Sequence, residues 1–369
     1  MDNSMPKITK QSKNKIKVEF DRTPLKERLK AKFLNFYFFQ TVVVKIFRFI
    51  FLLGIAYIVL YPFFTKIAGS FMAPQDFVDV TVRLIPKNFS LDIYKAIWTD
   101  LDYVEALANT TLISLGLALL QTFTCCFIAY GLAKYRFKGN GIIFLLVVLT
   151  MVIPHRTLSS AISMNFTYFD VCGIVSFLSG GASVGIESID AFLSTIHVIP
   201  DKWEMLQDHS LNLINTVWPF IILSVTGLAF KNGLYIFMLR QFFRGIPDSL
   251  EESAYIDGSG DFRTFIQIII PMSVPMMITV FLFAFCWQWT DTFYTGMFFT
   301  FEDKAPLTLA QIADEIPVSL DTAYAGQNMY ETAIRNTCGI MIILPLVVLY
   351  VFLQRYLVEG IERSGLTAE

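Results

Sequence analysis

A chain of 369 residues that is 54% hydrophobic, 15% aromatic and only 16% charged lies outside the composition of soluble domains, which carry about 25% charged residues. Its charges sit in loops between long apolar stretches, a pattern that excludes an ordinary globular enzyme and reads as a multi-spanning membrane protein. The net charge of −2 says nothing about nucleic acid; only the distribution of charge is informative.

In chain order, residues 1–45 form a basic, polar tail without the short apolar core and cleavage site of a signal peptide, so no cleaved leader is expected. Residues 46–356 hold six stretches near the ~20 apolar residues that a transmembrane helix needs. They run over 47–71, 107–130, 141–163, 214–238, 272–299 and 334–353, each apolar on all faces rather than along one stripe. Pro62, Pro154, Pro219, Pro275 and Pro345 lie inside or near their ends, where membrane helices tolerate proline. Residues 357–369 are a polar tail.

Lysine and arginine set the expected orientation. Residues 1–48 carry twelve Lys/Arg, 131–140 three, 240–270 three and 354–369 two, which makes twenty on one side. The alternate loops 73–104, 165–212 and 300–332 hold five basic residues and seventeen acids. Both termini are therefore expected in the cytoplasm, together with the loop 240–271. The stretch 172–208, with Gly180, Gly181 and Gly185, reads as an external insertion with an amphipathic helix near Ser188–His197.

Inside that cytoplasmic loop the sequence EESAYIDGSGDFRTFIQIIIP spans residues 251–271. Pro247-Asp248-Ser249 reads as a stop followed by a helix cap, and Glu251 and Glu252 then fall in the first turn of a short helix, where acids complement the dipole. Gly258 permits a sharp reversal after it, and Pro271 marks the start of the next span. The spacing Glu252-Ser253-Ala254, three residues, Gly258, nine residues, Ile268-Ile269-Ile270-Pro271 resembles the EAA loop of ABC-transporter permeases, the coupling helix that seats in the ATPase subunit. Further segments carry the resemblance to the carbohydrate-importing, maltose-type members. They are SFMAPQDF (Ser70–Phe77), LIPKNFSLDIYKAIW (Leu84–Trp98), YGLAKYRFKG (Tyr130–Gly139), RQFFRGIP (Arg240–Pro247) and QRYLVEGIERSG (Gln354–Gly365). The chain departs from the family in its longer N-terminal tail and in the interruption near 172–208.

The resemblance implies an all-α membrane protein of type I importer permease architecture, six transmembrane helices with a cytoplasmic coupling helix, in a bacterial cell membrane. It implies a second related permease, two ABC ATPase subunits, an external solute-binding protein and a carbohydrate substrate, with the lipid bilayer as solvent and no nucleic acid. It also implies that Glu251, Glu252, Ser253, Ala254, Tyr255, Asp257 and Gly258 couple to the ATPase, with Glu252 as the polar contact to the ATPase groove, Ala254 and Tyr255 packing into that groove and Gly258 setting the turn.

No GxxxxGK[ST] phosphate loop, nucleophile motif or metal-ligand spacing occurs, so ATP and magnesium are expected on a separate ATPase, and neither catalytic nor metal residues are expected here. His155, His197 and His209 are scattered, and Cys125, Cys126, Cys172, Cys286 and Cys338 follow no disulfide pattern. Asp291, an acid within the fifth apolar stretch, sits beside Trp287, Gln288 and Trp289. These four read either as lining for a substrate pathway, with aromatic faces for sugar rings and polar groups for hydroxyls, or as interfacial anchors and a helix–helix pair. Lys231 reads as snorkelling toward the cytoplasm and Arg335 as pairing with an acid in the preceding loop. Two other readings stay open: an ABC permease for a polyamine or phosphorylated compound, and a stand-alone secondary transporter, for which inverted repeats and paired acids would be needed.

Overall fold

Apolar residues on every face of the first long stretch give a helix with no polar stripe to bury, α1 (Phe36–Gly69). The computed structural model describes residues 36–169, 211–300, 305–323 and 325–366, and it divides into one unit up to Phe64 and another from Thr65 onward. The described part of the first unit is α1 alone, whose side chains from Val43 to Phe64 are all exposed. The insertion at 172–208, its expected helix near Ser188–His197 and most of the N-terminal tail lie outside the described residues.

The second unit opens with a short 3-10 turn (Pro74–Phe77) and α2 (Asp92–Asp100). The intervening loop is tied down by the buried Asp76, whose carboxylate accepts the backbone N–H and side-chain amide of Asn88 at 3.0 and 2.7 Å. Next come α3 (Tyr103–Lys134), α4 (Asn140–Val152) and α5 (Ser159–Thr167). They are followed by α6 (Trp218–Val225) and α7 (Asn232–Arg244). After these lie α8 (Asp248–Ile256), the single turn α9 (Asp261–Thr264) and α10 (Ile270–Trp289). Three more close the chain: α11 (Phe293–Phe298), α12 (Leu309–Ile312) and the 40-residue α13 (Gln327–Leu366).

The packing is organised by α3. Its buried positions Ala106, Thr110, Ser114, Ala118, Gln121, Thr122, Cys125, Cys126 and Ala129 recur every three or four residues, one stripe of small and weakly polar side chains. Small residues let membrane helices approach closely, and α3 accordingly packs against α6, α7, α10 and α12. Cys125 and Cys126 are buried free thiols in that stripe. Trp289 of α10 donates its indole N–H to the carbonyl of Ile342 at 3.0 Å, pinning α10 to α13.

The expected spans are met unevenly. Four described helices are long and apolar enough to cross a membrane: Gln40–Gly69, Tyr103–Lys134, Asp261–Trp289 and Gln327–Arg355. The expected span 141–163 is a pair bent by 95°, which brings the number to five if the pair counts as one. The bend falls at Pro154, which has no N–H to continue the ladder and forces Ile153 into an extended conformation. The expected span 214–238 is not one helix. It breaks between α6 and α7, where Gly227 (φ +75°) and Lys231 (φ +68°) turn the backbone left-handed.

The fifth expected span also differs at both ends. The helix begins at Asp261 rather than near Pro271 and passes through a π turn (Phe265–Ile269). Pro271 leaves the Gln267 carbonyl without its i→i−4 donor, and a π turn is one way a helix absorbs such a loss. At the far end the helix stops at Trp289 and resumes as α11.

Candidate functional site: a clasped helix and a cleft beside α10

The segment 247–258 forms a nine-residue helix, α8, whose N-cap is Pro247 without a side-chain cap. The expected capping acid is diverted: Asp248 instead accepts from the Lys134 ammonium at the end of α3, at 2.6 Å. That hydrogen bond and the lysine charge hold the Asp248 carboxyl below the usual carboxylate range. The same ammonium donates to the Ile246 carbonyl at 2.7 Å and lies 3.7 Å from Glu251. Glu251 is buried and accepts the Tyr130 hydroxyl at 3.1 Å. Earlier in the chain, Arg240 of α7 donates to the Leu132 carbonyl at 3.2 Å and stacks its guanidinium on Phe144, 3.7 Å from the ring centroid.

The far end of α8 closes in a Schellman arrangement. Gly258 (φ +82°) donates to Tyr255 O at 3.0 Å and Ser259 to Ala254 O at 2.9 Å, a geometry that favours glycine at the left-handed position. The seven residues expected to couple to the ATPase thus divide by face. Glu251 and Ala254 are buried against the bundle, whereas Glu252, Ser253, Tyr255, Asp257 and Gly258 are exposed. Ile256, 85% exposed, adds an apolar side chain to the outer face. The Tyr255 hydroxyl is pushed up to about 12 by partial desolvation and then by the neighbouring Asp261 carboxylate, so it remains a hydrogen-bond donor.

About 20 Å along α3 from the clasp, by helical rise between Gln121 and Lys134, lies a narrow cleft of about 20 Å³. Gln121, Ser224, Phe230, Trp287, Gln288 and Asp291 are among its lining residues. Gln121 donates its amide to the Ser224 hydroxyl at 3.3 Å. The Tyr294 hydroxyl, also on the wall, is 2.8 Å from His155 Nδ1, and the His155 ring meets Phe230 edge-on at 5.1 Å.

Of the four residues singled out on α10, Trp287 and Gln288 line this cleft, and Trp287 is 45% exposed. Asp291 lines it too, but its carboxylate accepts the backbone N–H groups of Phe293, Tyr294 and Thr295 and the Thr295 hydroxyl, at 3.0–3.3 Å. Trp289 is buried and borders a second, smaller cavity with Gln288 and Asp291. Lys231 does not extend along α7; its ammonium lies over the rings of Phe230 and Trp287, 4.7 and 4.9 Å from their centroids. Arg335 does pair with an acid of the preceding loop, Asp314, at 3.8 Å.

Sequence reasoning passed over Gln121, Ser224, Phe230, Tyr294 and His155. Gln121 carried a usable signal, since an amide in the middle of an apolar helix marks either a packing contact or a pathway. Ser224 and Phe230 reach the cleft through the break between α6 and α7, His155 through the bend at Pro154 and Tyr294 through the stop after Trp289, none of which hydropathy registers.

The profile of the family described as "Binding-protein-dependent transport system inner membrane component" matches residues 125–363, from the middle of α3 through almost all of α13. The polygalacturonan/rhamnogalacturonan transport system permease protein of Bacillus subtilis is 27% identical over 318 residues, covering 84% of this chain and 93% of that protein. The maltodextrin transport system permease protein of Streptococcus pneumoniae is 25% identical over 321 residues, covering 86% and 93%. Among solved structures, a chain of a bacterial ABC transporter involved in the import of the acidic polysaccharide alginate superposes with a TM-score of 0.57 at 19% identity, covering 86% of this chain and 97% of that one, a likeness of fold. The family match takes in the clasp, the broken segment before α7 and the α10 wall of the cleft, and the chain belongs to the family of binding-protein-dependent transport system inner membrane components.

Proposed function

We propose that this chain is the membrane-spanning permease subunit of an ATP-driven oligosaccharide importer and that α8 couples a separate ATPase to alternating access. The observation that carries the reading is the division of α8 into two faces. Its inner face is locked to α3 through Glu251, Tyr130 and Lys134, and its outer face offers Glu252, Ser253, Tyr255 and Ile256 to a partner. A helix held that way moves with α3 rather than sliding over it.

The reading includes a second related permease, two ATPase subunits that bind ATP and magnesium, and an external binding protein that delivers substrate. The twenty Lys/Arg in the two tails and the loops 131–140 and 240–270, against five in the alternate loops, support a cytoplasmic placement for both termini and α8. Closure of the ATPase dimer draws α8 inward, the bundle rocks to face outward, and the delivered sugar enters; reopening returns it. The saccharide substrate is supported by the named substrates of the curated relatives, which this chain matches over most of its length. Trp287 gives an open aromatic face for a sugar ring, and Gln288 gives an amide for its hydroxyls. The cation on Trp287 disfavours a polyamine as cargo.

Gentle purification of the tagged chain from native membranes tests the assembly. Stoichiometric recovery of an ATPase with a phosphate loop and a second permease is the expected result, whereas ATP-independent transport by the chain alone would overturn it.

A further inference from the structure

We infer that the saccharide carried through this chain bears a carboxylate, and that the Lys231 ammonium is the group that meets it. The inference rests on the saccharide-import reading above and narrows its substrate class.

Lys231 precedes the first residue of α7, a 13-residue helix that ends beside α8. With α8 at the cytoplasmic face, a rise of 1.5 Å per residue places Lys231 about 20 Å in from the end of α7. That is deep within a hydrocarbon core about 30 Å thick, where a lysine is expensive to keep. The usual relief is a carboxylate partner or a side chain stretched to the interface. Neither is found: no carboxylate among the described residues forms an ion pair with Lys231, and the ammonium rests on the faces of Phe230 and Trp287. Ring faces attract the cation but accept no strong hydrogen bond, so the N–H groups directed away from them stay open to a ligand.

Phe230 and Trp287 are themselves walls of the cleft, so the cation sits at its edge. Asp291, the acid of the same cleft, is already occupied by three backbone N–H groups and a hydroxyl. His155 is likewise engaged by Tyr294. The cleft therefore presents one satisfied anion and one cation without a counter-ion, next to an open indole face. A neutral sugar can use the indole and the Gln288 amide but leaves the ammonium unmatched. A uronate stacked on Trp287 places its carboxylate within reach of Lys231, where a charge-assisted hydrogen bond in a poorly solvated site exceeds a neutral one.

The complete importer, purified with its own partner subunits and binding protein and reconstituted in proteoliposomes, tests this with trisaccharides of galacturonate, mannuronate and glucuronate and their neutral counterparts from galactose, mannose and glucose. The wild type is expected to import at least one acidic trisaccharide at least tenfold faster than its neutral counterpart. Lys231→Gln should collapse that ratio at least tenfold, and Lys231→Arg should retain it. The binding protein is the same in every preparation, so a changed ratio belongs to the permease. An unchanged ratio in Lys231→Gln, an equal loss of acidic and neutral uptake, or a wild type that imports only neutral trisaccharides would each overturn the inference and leave the saccharide reading intact. ATP-driven import of none of the six would overturn both.

Discussion

The clasp at the end of α3 and the cleft around Trp287 draw on similar residues, tyrosines, lysines and carboxylates, and handle them in opposite ways. At the clasp, Lys134, Asp248, Glu251 and Tyr130 satisfy one another, and nothing on the inner face of α8 is left for a ligand. In the cleft, Lys231 meets only ring faces among the described residues, and Trp287 is open. On the proposed function, the difference separates a part that transmits motion without slack from a part that releases what it binds. A site that passes cargo needs contacts that are incomplete until the cargo arrives.

Four substitutions break or sharpen this contrast. Trp289→Ala removes a buried ring and its hydrogen bond to Ile342, a loss of about 3–5 kcal/mol for a fully packed aromatic. A large fall in the thermal midpoint of the purified protein is expected, in contrast to its neighbour Trp287. Lys134→Met leaves Glu251 buried without its cation, which for a broken buried pair amounts to about 3–5 kcal/mol at most and less here, because Tyr130 still donates to it. Lower stability together with uncoupled ATP hydrolysis is expected, with partial rescue by Lys134→Arg; wild-type coupling in Lys134→Met would show that the clasp is dispensable.

Smaller in energy but sharper in readout is Glu252→Ala on the exposed face of α8. Uptake should fall at least tenfold, about 1.4 kcal/mol of coupling, with the thermal midpoint unchanged. Normal uptake would remove Glu252 from the ATPase contact. The smallest effect belongs to Asp248→Asn. The folded-state pKa of Asp248 is lowered, so its contribution is present above the ordinary carboxylate pKa and is lost as pH falls through the lower folded value. Wild-type protein should lose a small increment of α8 protection in hydrogen exchange on acidification below about pH 4, and Asp248→Asn should lack that increment at every pH.

Much of the architecture was legible from sequence because membrane helices are long, apolar on all faces and separated by charged loops. α1, α3 and α13 follow directly from that, and so does the position of α8 between Pro247 and Gly258. The breaks were not legible. A hydropathy window sums composition and carries no information on backbone direction, so the stretch 214–238 read as one helix despite Gly227 and the left-handed Lys231. The same blindness to direction grouped Trp287 with Trp289. Two residues along an α-helix are about 200° apart in azimuth, so one ring faces the cleft and the other faces α13. Lys231 was read as snorkelling toward the cytoplasm, whereas its ammonium rests over the rings of Phe230 and Trp287.

The uninterrupted run of α3 carries one more consequence. Gln121 stands in the cleft and Lys134 in the clasp, on a single helix with no proline and no break between them. An unbroken helix is stiff along its axis, so a displacement imposed at one end arrives at the other nearly undiminished. The bent pair α4–α5 and the interrupted pair α6–α7 lack that property and can fold around their joints. In mechanical terms α3 is a push-rod with a transmission ratio near one, set among jointed links, and the stroke available at the cleft is bounded by the stroke delivered to α8.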